Sequence, residues 1–401
     1  MLEKNNIDSY KISLNNHTKL IHFLSKLELS LNHKTYDHHD LNIILKLILE
    51  LTKNKQKLKS NYFLYVRILN IFYKLIKYEN HDFIISQSDK GKIESLFNIK
   101  YVKKNIFPKN IVVNFDQRKK LLSKKLVILF YDSVIARAYL ELLNFIGIKP
   151  YKIIYLIPNR KFFLHKFFSR ELTLKINANY HYRSMNFWPN IIKNKDNFLF
   201  KEILNIFSKN FNIPIDVFFN AYNNINLSKY SKNITKVSVT NINDLKLLEF
   251  IKSKDEYYLF TGGGIIKSPI IKKNILHVHP GYLPYFAGSD CSLWSYFLQG
   301  NFSASIILMR KKIDQGPLIY AESLDKLNFN FLDNYNYKSN YKYRIIYSLI
   351  DPWIRALVLI NFFQFPSKKI NRISSTHSIK NYFYQMSDEL INNVFNQLFK
   401  K

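Results

Sequence analysis

With 401 residues, 47% of them apolar, the chain is long enough for two or three domains with sizeable cores, which excludes global disorder. One cysteine, Cys291, excludes an internal disulfide and a thiolate metal cluster, and a reducing, cytoplasmic compartment fits. The formal charge of +31 fits a polyanionic partner such as RNA or an acidic membrane. A drift toward Lys, Asn, Ile, Tyr and Phe is the favoured reading, because the lysines are scattered from end to end and not gathered into one stripe.

The opening run MLEKNNIDSYK has no apolar h-region, so no signal peptide is expected. Residues 1 to about 120 carry helical spacing from His17 to Leu31, Leu41 to Leu51 and Tyr62 to Tyr78, separated by Asn- and Lys-rich breaks. His38 and His39 read as a solvated pair, since no further ligands follow at metal spacing. Leu126–Tyr131 is a short apolar run suited to a buried strand. Ser133–Phe145 has helical spacing with Gly147 as its stop, and Tyr151–Ile157 is a second strand. This β-α-β unit implies a parallel crossover. Its first turn, YDSVIARA, lacks the glycine fingerprint of dinucleotide sites, so NAD and FAD are not expected.

Further helices are expected around Phe162–Phe168 and Phe198–Phe207. Lys236–Thr240 is a strand, Asp244–Lys252 a helix opened by Asn243, and Glu256–Phe260 a strand running into Thr261. Ile275–Val278 and Ala304–Met309 complete the strands, ending near His279 and Asp314 respectively. Alternating strands and helices make an open α/β sheet, whose ligands bind beyond the carboxyl ends of the strands. Beyond it, Ile345–Phe365 is apolar but carries Asp351, Pro352 and Arg355, which argues against a membrane span. Asp351 and Arg355 form an i,i+4 pair, and Ser387–Phe399 is a final amphipathic helix.

Glycine marks the centre of interest. Of nine glycines, seven (Gly262, Gly263, Gly264, Gly281, Gly288, Gly300 and Gly316) fall within 55 residues. That density suits either unusual ligand-binding loops or a cluster of ordinary turns. In the same window His277 and His279 stand two apart at a strand end, so both rings face one side. Asp314 follows His279 by 35 residues. A histidine with a carboxylate partner suits proton transfer near neutral pH. On spacing alone the trio is also compatible with a metal site still short of a third ligand, or with a satisfied structural histidine.

The run His277-Val-His279-Pro280-Gly281-Tyr282-Leu283-Pro284, with Gly288 and then Ile313-Asp314-Gln315-Gly316, resembles the hallmark of the formyltransferases that use 10-formyltetrahydrofolate. That family includes methionyl-tRNA formyltransferase, glycinamide ribonucleotide formyltransferase and the sugar N-formyltransferases. The resemblance covers about residues 125 to 325 and includes the order of strand, helix, Thr261–Ile266 loop and signature strand. It departs from the family at His277, where the family has asparagine, and at Ala287, where an arginine often stands.

The resemblance implies an open, mostly parallel, Rossmann-like sheet over residues 121–325; helical spacing adds a helical extension over 1–120 and a short helical region over 326–401. It implies a transferase in which an amine attacks the formyl carbon of 10-formyltetrahydrofolate. His277 and His279 would hold the oxygen that gains charge, and His279 would move the proton while Asp314 orients it. Thr261, Gly262, Gly263, Gly264, Ile265, Arg310 and Ile313 would hold the folate. Tyr282, Phe286 and Gly288 would line the substrate cleft, and Trp294 falls either there or in the core. The expected acceptor is an amino sugar on a nucleotide, or another small amine. A tRNA acceptor is the alternative, disfavoured by a tail that reads as helical and short where the tRNA enzyme has a β-rich domain. A third reading is an altered relative that binds a partner without catalysis. No metal is expected.

Overall fold

Leu126, Ile128 and Phe130 face one apolar core, while the intervening Val127 and Leu129 face another. A strand buried on both faces belongs at the centre of a covered sheet, and that is its place. The computed structural model describes residues 17–32, 36–53, 62–80, 82–95, 112–159, 169–267, 269–270, 273–325, 327, 329, 337–365 and 382–399. In chain order the strands are β1 (Val112–Val113), β2 (Lys125–Phe130), β3 (Lys152–Pro158), β4 (Ile234–Val239), β5 (Glu256–Phe260), β6 (Ile275–Pro280), β7 (Ala287–Gly288), β8 (Ser303–Leu308), β9 (Leu318–Ser323) and β10 (Tyr382–Phe383). Eight of them form one sheet in the order β1-β9-β8-β6-β5-β2-β3-β4, and β7 pairs with β10 separately.

The strands from β4 to β6 are parallel, and β8, β9 and β1 add antiparallel pairings at one edge. The expected β-α-β unit is present. Ser133 caps the helix Val134–Phe145 through the Ala136 amide, and Gly147 ends it at a positive φ of 78°. From β2 the chain builds outward to β3 and β4, then returns to β5 on the other side of β2. That reversal makes the carboxyl ends of β2 and β5 a switch point, where open α/β sheets leave a crevice.

One face of the sheet is covered by the helices Val134–Phe145 and Asp351–Gln364, which pack on each other and, for the latter, on β6 and β8. The helical stretch Ser339–Gln364 is long and apolar enough to cross a membrane, yet 83% of its apolar window is buried inside the protein, as a core helix would be. It passes through a π turn at Ile346–Ile350 just before Pro352. Proline has no N–H to offer the carbonyl four residues back. The Ser348 carbonyl instead accepts a hydrogen bond from the Tyr222 hydroxyl at 3.1 Å, and that hydroxyl also accepts from the Trp353 indole at 3.0 Å. The Asp351–Arg355 pair is closed at 2.6 Å, but it is buried and not on a solvated face.

Among the described residues, the segment before residue 95 and the C-terminal segment share a core with the sheet. Leu24, Ile48 and Phe72 belong to the same apolar cluster as Ile128, Val278, Trp353 and Leu398. One further difference from expectation concerns a single element. Phe198–Phe207 lies within the helix Asn197–Phe211, but Asp244–Lys252 forms only a 3-10 turn, Leu245–Glu249. There the Asp244 carboxylate accepts from the Thr240 and Lys246 amides at 2.9 and 3.1 Å, a local closure that competes with an α-helix. The Phe162–Phe168 helix falls outside the described residues.

Candidate active site

His277 and His279 occupy alternate positions of β6, opposite Leu276 and Val278, which enter the large core. His279 is 2% exposed. Its Nε2 lies 2.8 Å from the Phe286 carbonyl oxygen, and its Nδ1 lies 3.3 Å from Asp314 Oδ1. A carbonyl only accepts, so Nε2 carries a proton. Both ring nitrogens are therefore engaged.

Asp314 reaches this ring by an indirect route. β8 is antiparallel to β6, with Leu308 opposite Leu276, so the β8–β9 connection starts level with the beginning of β6. It must run back along the sheet to meet His279. The sequence reading placed this loop beyond a carboxyl end like the others; the antiparallel pairing makes it a hairpin connection that folds back. Asp314 adopts a left-handed backbone (φ 56°), which Asp tolerates better than most residues. Gly316 packs so tightly on the Leu308 carbonyl that a Cβ would lie 1.6 Å from its oxygen. The other carboxylate oxygen, Oδ2, accepts from the Gly288 amide at 2.9 Å. Ser305 Oγ fixes the intervening loop, accepting from the Leu283 amide at 2.9 Å and donating to the Gly281 carbonyl at 2.8 Å.

Electrostatics set Asp314 and His277 apart. Burial pushes the Asp314 carboxyl up, but the His279 ring, its hydrogen bond and the Gly288 amide together hold it below the usual carboxylate value. His277 is pushed down to about 3, first by burial and then by the Arg355 charge and His279, against weaker pulls from Asp314 and the Phe260 carbonyl. It is neutral near pH 7, and its Nδ1 is buried with no hydrogen-bond partner.

A cavity of about 130 Å³ opens on this site. It is lined by His277, Asp314, Gly264, Ile265, Arg310 and Ile313, all anticipated from sequence, and by Ile307, Met309 and Lys312, which were not. His279 stands behind this wall. Gly262 and Gly263 line a second cavity of about 230 Å³ with Tyr131, Phe260 and Asn241, which shares Gly264 and Ile265 with the first. Thr261 lines neither; its hydroxyl accepts from the Tyr131 amide at 2.8 Å, tying β5 to β2.

Three aromatic expectations are corrected or resolved by burial. Tyr282 and Phe286 are 1% and 0% exposed and line neither of these two cavities: they lie in the core, where Phe286 stacks on Phe383 at 5.6 Å. Trp294 is core as well, its indole donating to the Tyr384 carbonyl at 2.9 Å. Phe286 serves the site through its backbone carbonyl, and Gly288 through its amide, contributions that side-chain chemistry cannot announce. Among the described residues no group of three or more His, Cys, Asp or Glu side chains could hold a metal ion.

No family model matches the chain, and no curated protein matches it. Solved structures do. A 4-N formyltransferase from Francisella tularensis is 14% identical, with 67% of this chain and 86% of that one covered and a TM-score of 0.30. An N-formyltransferase from Helicobacter canadensis, in complex with folinic acid and dTDP-3-aminofucose, is 14% identical over 68% of this chain and 80% of that one, with a TM-score of 0.31. Methionyl-tRNA formyltransferase from Clostridium thermocellum is 15% identical over 38% and 60%, with a TM-score of 0.25. These formyltransferases are among the solved structures to which this chain is similar.

Proposed function

We propose that the protein transfers a formyl group from 10-formyltetrahydrofolate to an amine, and that the amine belongs to an amino sugar on a nucleotide. The observation that carries this reading is the convergence of His277 and Asp314 on one cavity with the Gly264–Ile265 and Arg310–Ile313 loops, in the order of the formyltransferase signature.

The cavity's chemistry suits the donor. Ile265, Ile307, Met309 and Ile313 offer apolar walls to a flat ring, and Arg310 and Lys312 offer cations to the carboxylates of a folate tail. The buried, unpartnered Nδ1 of His277 is an acceptor waiting for an N–H donor. When bound, the folate supplies an activated formyl carbon.

The protein's own groups then divide the work as follows. Asp314, ionised and facing the cavity, takes the proton leaving the amine nitrogen as the new C–N bond forms, and returns it to the folate nitrogen as the old formyl C–N bond breaks, so that tetrahydrofolate leaves. His279, behind it, holds that carboxylate in place and stabilises its charge; it is a positioning residue. His277, neutral, accepts a hydrogen bond through Nδ1 and orients an N–H group. This differs from the sequence-based assignment, in which His279 itself carried the proton: its two nitrogens already face Phe286 and Asp314.

The test is incubation of the purified protein with 10-formyltetrahydrofolate and a panel of amino-sugar nucleotides, reading out formylated product. Turnover should appear with at least one, and Asp314→Asn should lower kcat by about 100- to 10,000-fold. Absence of turnover on every amine offered, initiator methionyl-tRNA included, would overturn the enzyme reading. Turnover on the tRNA alone would overturn the choice of acceptor.

A further inference from the structure

Among the described residues, none up to Glu94 lines either cavity, yet a run of hydrogen bonds joins the N-terminal helices to the Asp314–His279 pair. It begins with Glu28 on the helix His17–Ser30 and with Arg67 and Asn70 on the helix Tyr62–Ile76, all three buried. Arg67 Nη1 pairs with Glu28 Oε2 at 2.8 Å, and its Nη2 donates to the Tyr382 carbonyl. Asn70 donates to the Gln385 carbonyl at 3.1 Å and accepts from the Ser387 amide at 2.7 Å. Three backbone groups of the segment 382–387 are thus gripped from one side.

The same segment grips the site from its other side. As β10 it pairs with β7, Tyr382 opposite Ala287 and Phe383 opposite Gly288. The Ser289 amide donates to the Phe383 carbonyl at 3.0 Å, and the Met386 amide donates to Asp290 at 2.9 Å. A Cβ on Gly288 would lie 2.2 Å from the Phe383 oxygen, so the two strands are in close contact. β7 and its flank in turn supply backbone partners to both side chains: the Phe286 carbonyl for His279 and the Gly288 amide for Asp314.

We propose that Arg67 and Asn70 are positioning residues: the N-terminal helices brace the segment 382–387 so that β7 holds Asp314 and His279 in register. Burial of the Glu28–Arg67 pair supports this. A buried ion pair is a poor source of stability compared with apolar packing, and its best-attested use is to fix register. Here its donors end on the backbone of one strap. The proposal rests on the formyl-transfer reading for its kinetic test but not for its structural one.

The test uses the full chain with Arg67→Lys, which keeps a charge opposite Glu28 but loses the second branch to Tyr382, and with Asn70→Ser. Two quantities are read: backbone amide exchange at Ala287, Gly288 and Ser289, and the pH profile of formyl transfer. Both variants should keep their cooperative thermal transition while exchange at these amides rises. Their kcat should fall by about ten- to a hundredfold, as expected when reacting groups drift by an ångström or less. The acid limb of the profile should move to higher pH, because Asp314 loses part of the Gly288 bond that holds its pKa down. Wild-type exchange and wild-type kinetics in a folded Arg67→Lys protein would overturn the proposal. If the wild-type protein shows no formyl transfer, the function fails, while the exchange data still decide the brace; if Asn70→Ser does not fold, Arg67→Lys decides alone.

Discussion

His277 is where a single side chain has consequences for both stability and chemistry. Its folded pKa, about 3, lies below the ordinary histidine value of about 6.5. Between those values the unfolded chain binds a proton that the native chain refuses, so stability rises with pH across that window and is complete above it. At about 1.4 kcal/mol per pKa unit, the contribution lost at the acid end is on the order of a few kcal/mol. Asp314 acts in the same sense, since its lowered pKa gives stability that disappears as pH falls through its folded value. Urea unfolding of wild type and His277→Asn across pH 4 to 8 should show a flatter dependence in the variant; superimposable curves would remove His277 from this account. The same substitution replaces the unpartnered Nδ1 acceptor by a side-chain amide whose oxygen can accept the same hydrogen bond, and formyl transfer comparable with wild type is expected from it.

At the scale of elements, the unusual helix Ser339–Gln364 depends on a distant tyrosine. Tyr222→Phe removes the donor to the Ser348 carbonyl and the acceptor for the Trp353 indole, both buried. An unsatisfied buried group costs about 1–3 kcal/mol, so a loss of that size should appear in denaturant unfolding, and a change below about 0.5 kcal/mol would show the carbonyl to be satisfied otherwise. Gly316→Ala should distort the β8–β9 connection, because its Cβ would collide with backbone. Loss of activity with retained secondary structure by circular dichroism is the expected result. Elements of this kind differ in how readily sequence reveals them. β2 and β5 were legible because continuous apolar runs have few other uses, and the helix Val134–Phe145 because serine and glycine mark its ends. β1 and β10 have two residues each and no period to detect, and β9 lay past the last motif. In the site, His277, Asp314 and the flanking loops were legible from the signature, whereas the inward turn of Tyr282 and Phe286 was not: an aromatic residue after a motif reads alike whether it faces a ligand or a core.

For the whole molecule, the decisive feature is one core spanning Leu20 to Phe399. The three regions were read from local periodicity, and periodicity within a segment does not record which segments bury one another. A chain beginning at residue 112 would expose the face of the helix Asp388–Phe399 that packs against Tyr62–Ile76. It should aggregate or unfold when expressed alone, and co-expression of residues 1–95 should restore a soluble complex; a monomeric, cooperatively melting 112–401 would refute this. Arg67 and Tyr382, which touch, are 315 positions apart in sequence. Protein synthesis proceeds from the amino end, so the helix bearing Arg67 has to wait, with part of its apolar surface uncovered, until Tyr382 and the residues after it are translated. Contacts this distant along the chain form slowly. A ribosome that stalls just before the Tyr382 codon would therefore release a polypeptide carrying every residue of the proposed chemistry and lacking the piece that puts them in order.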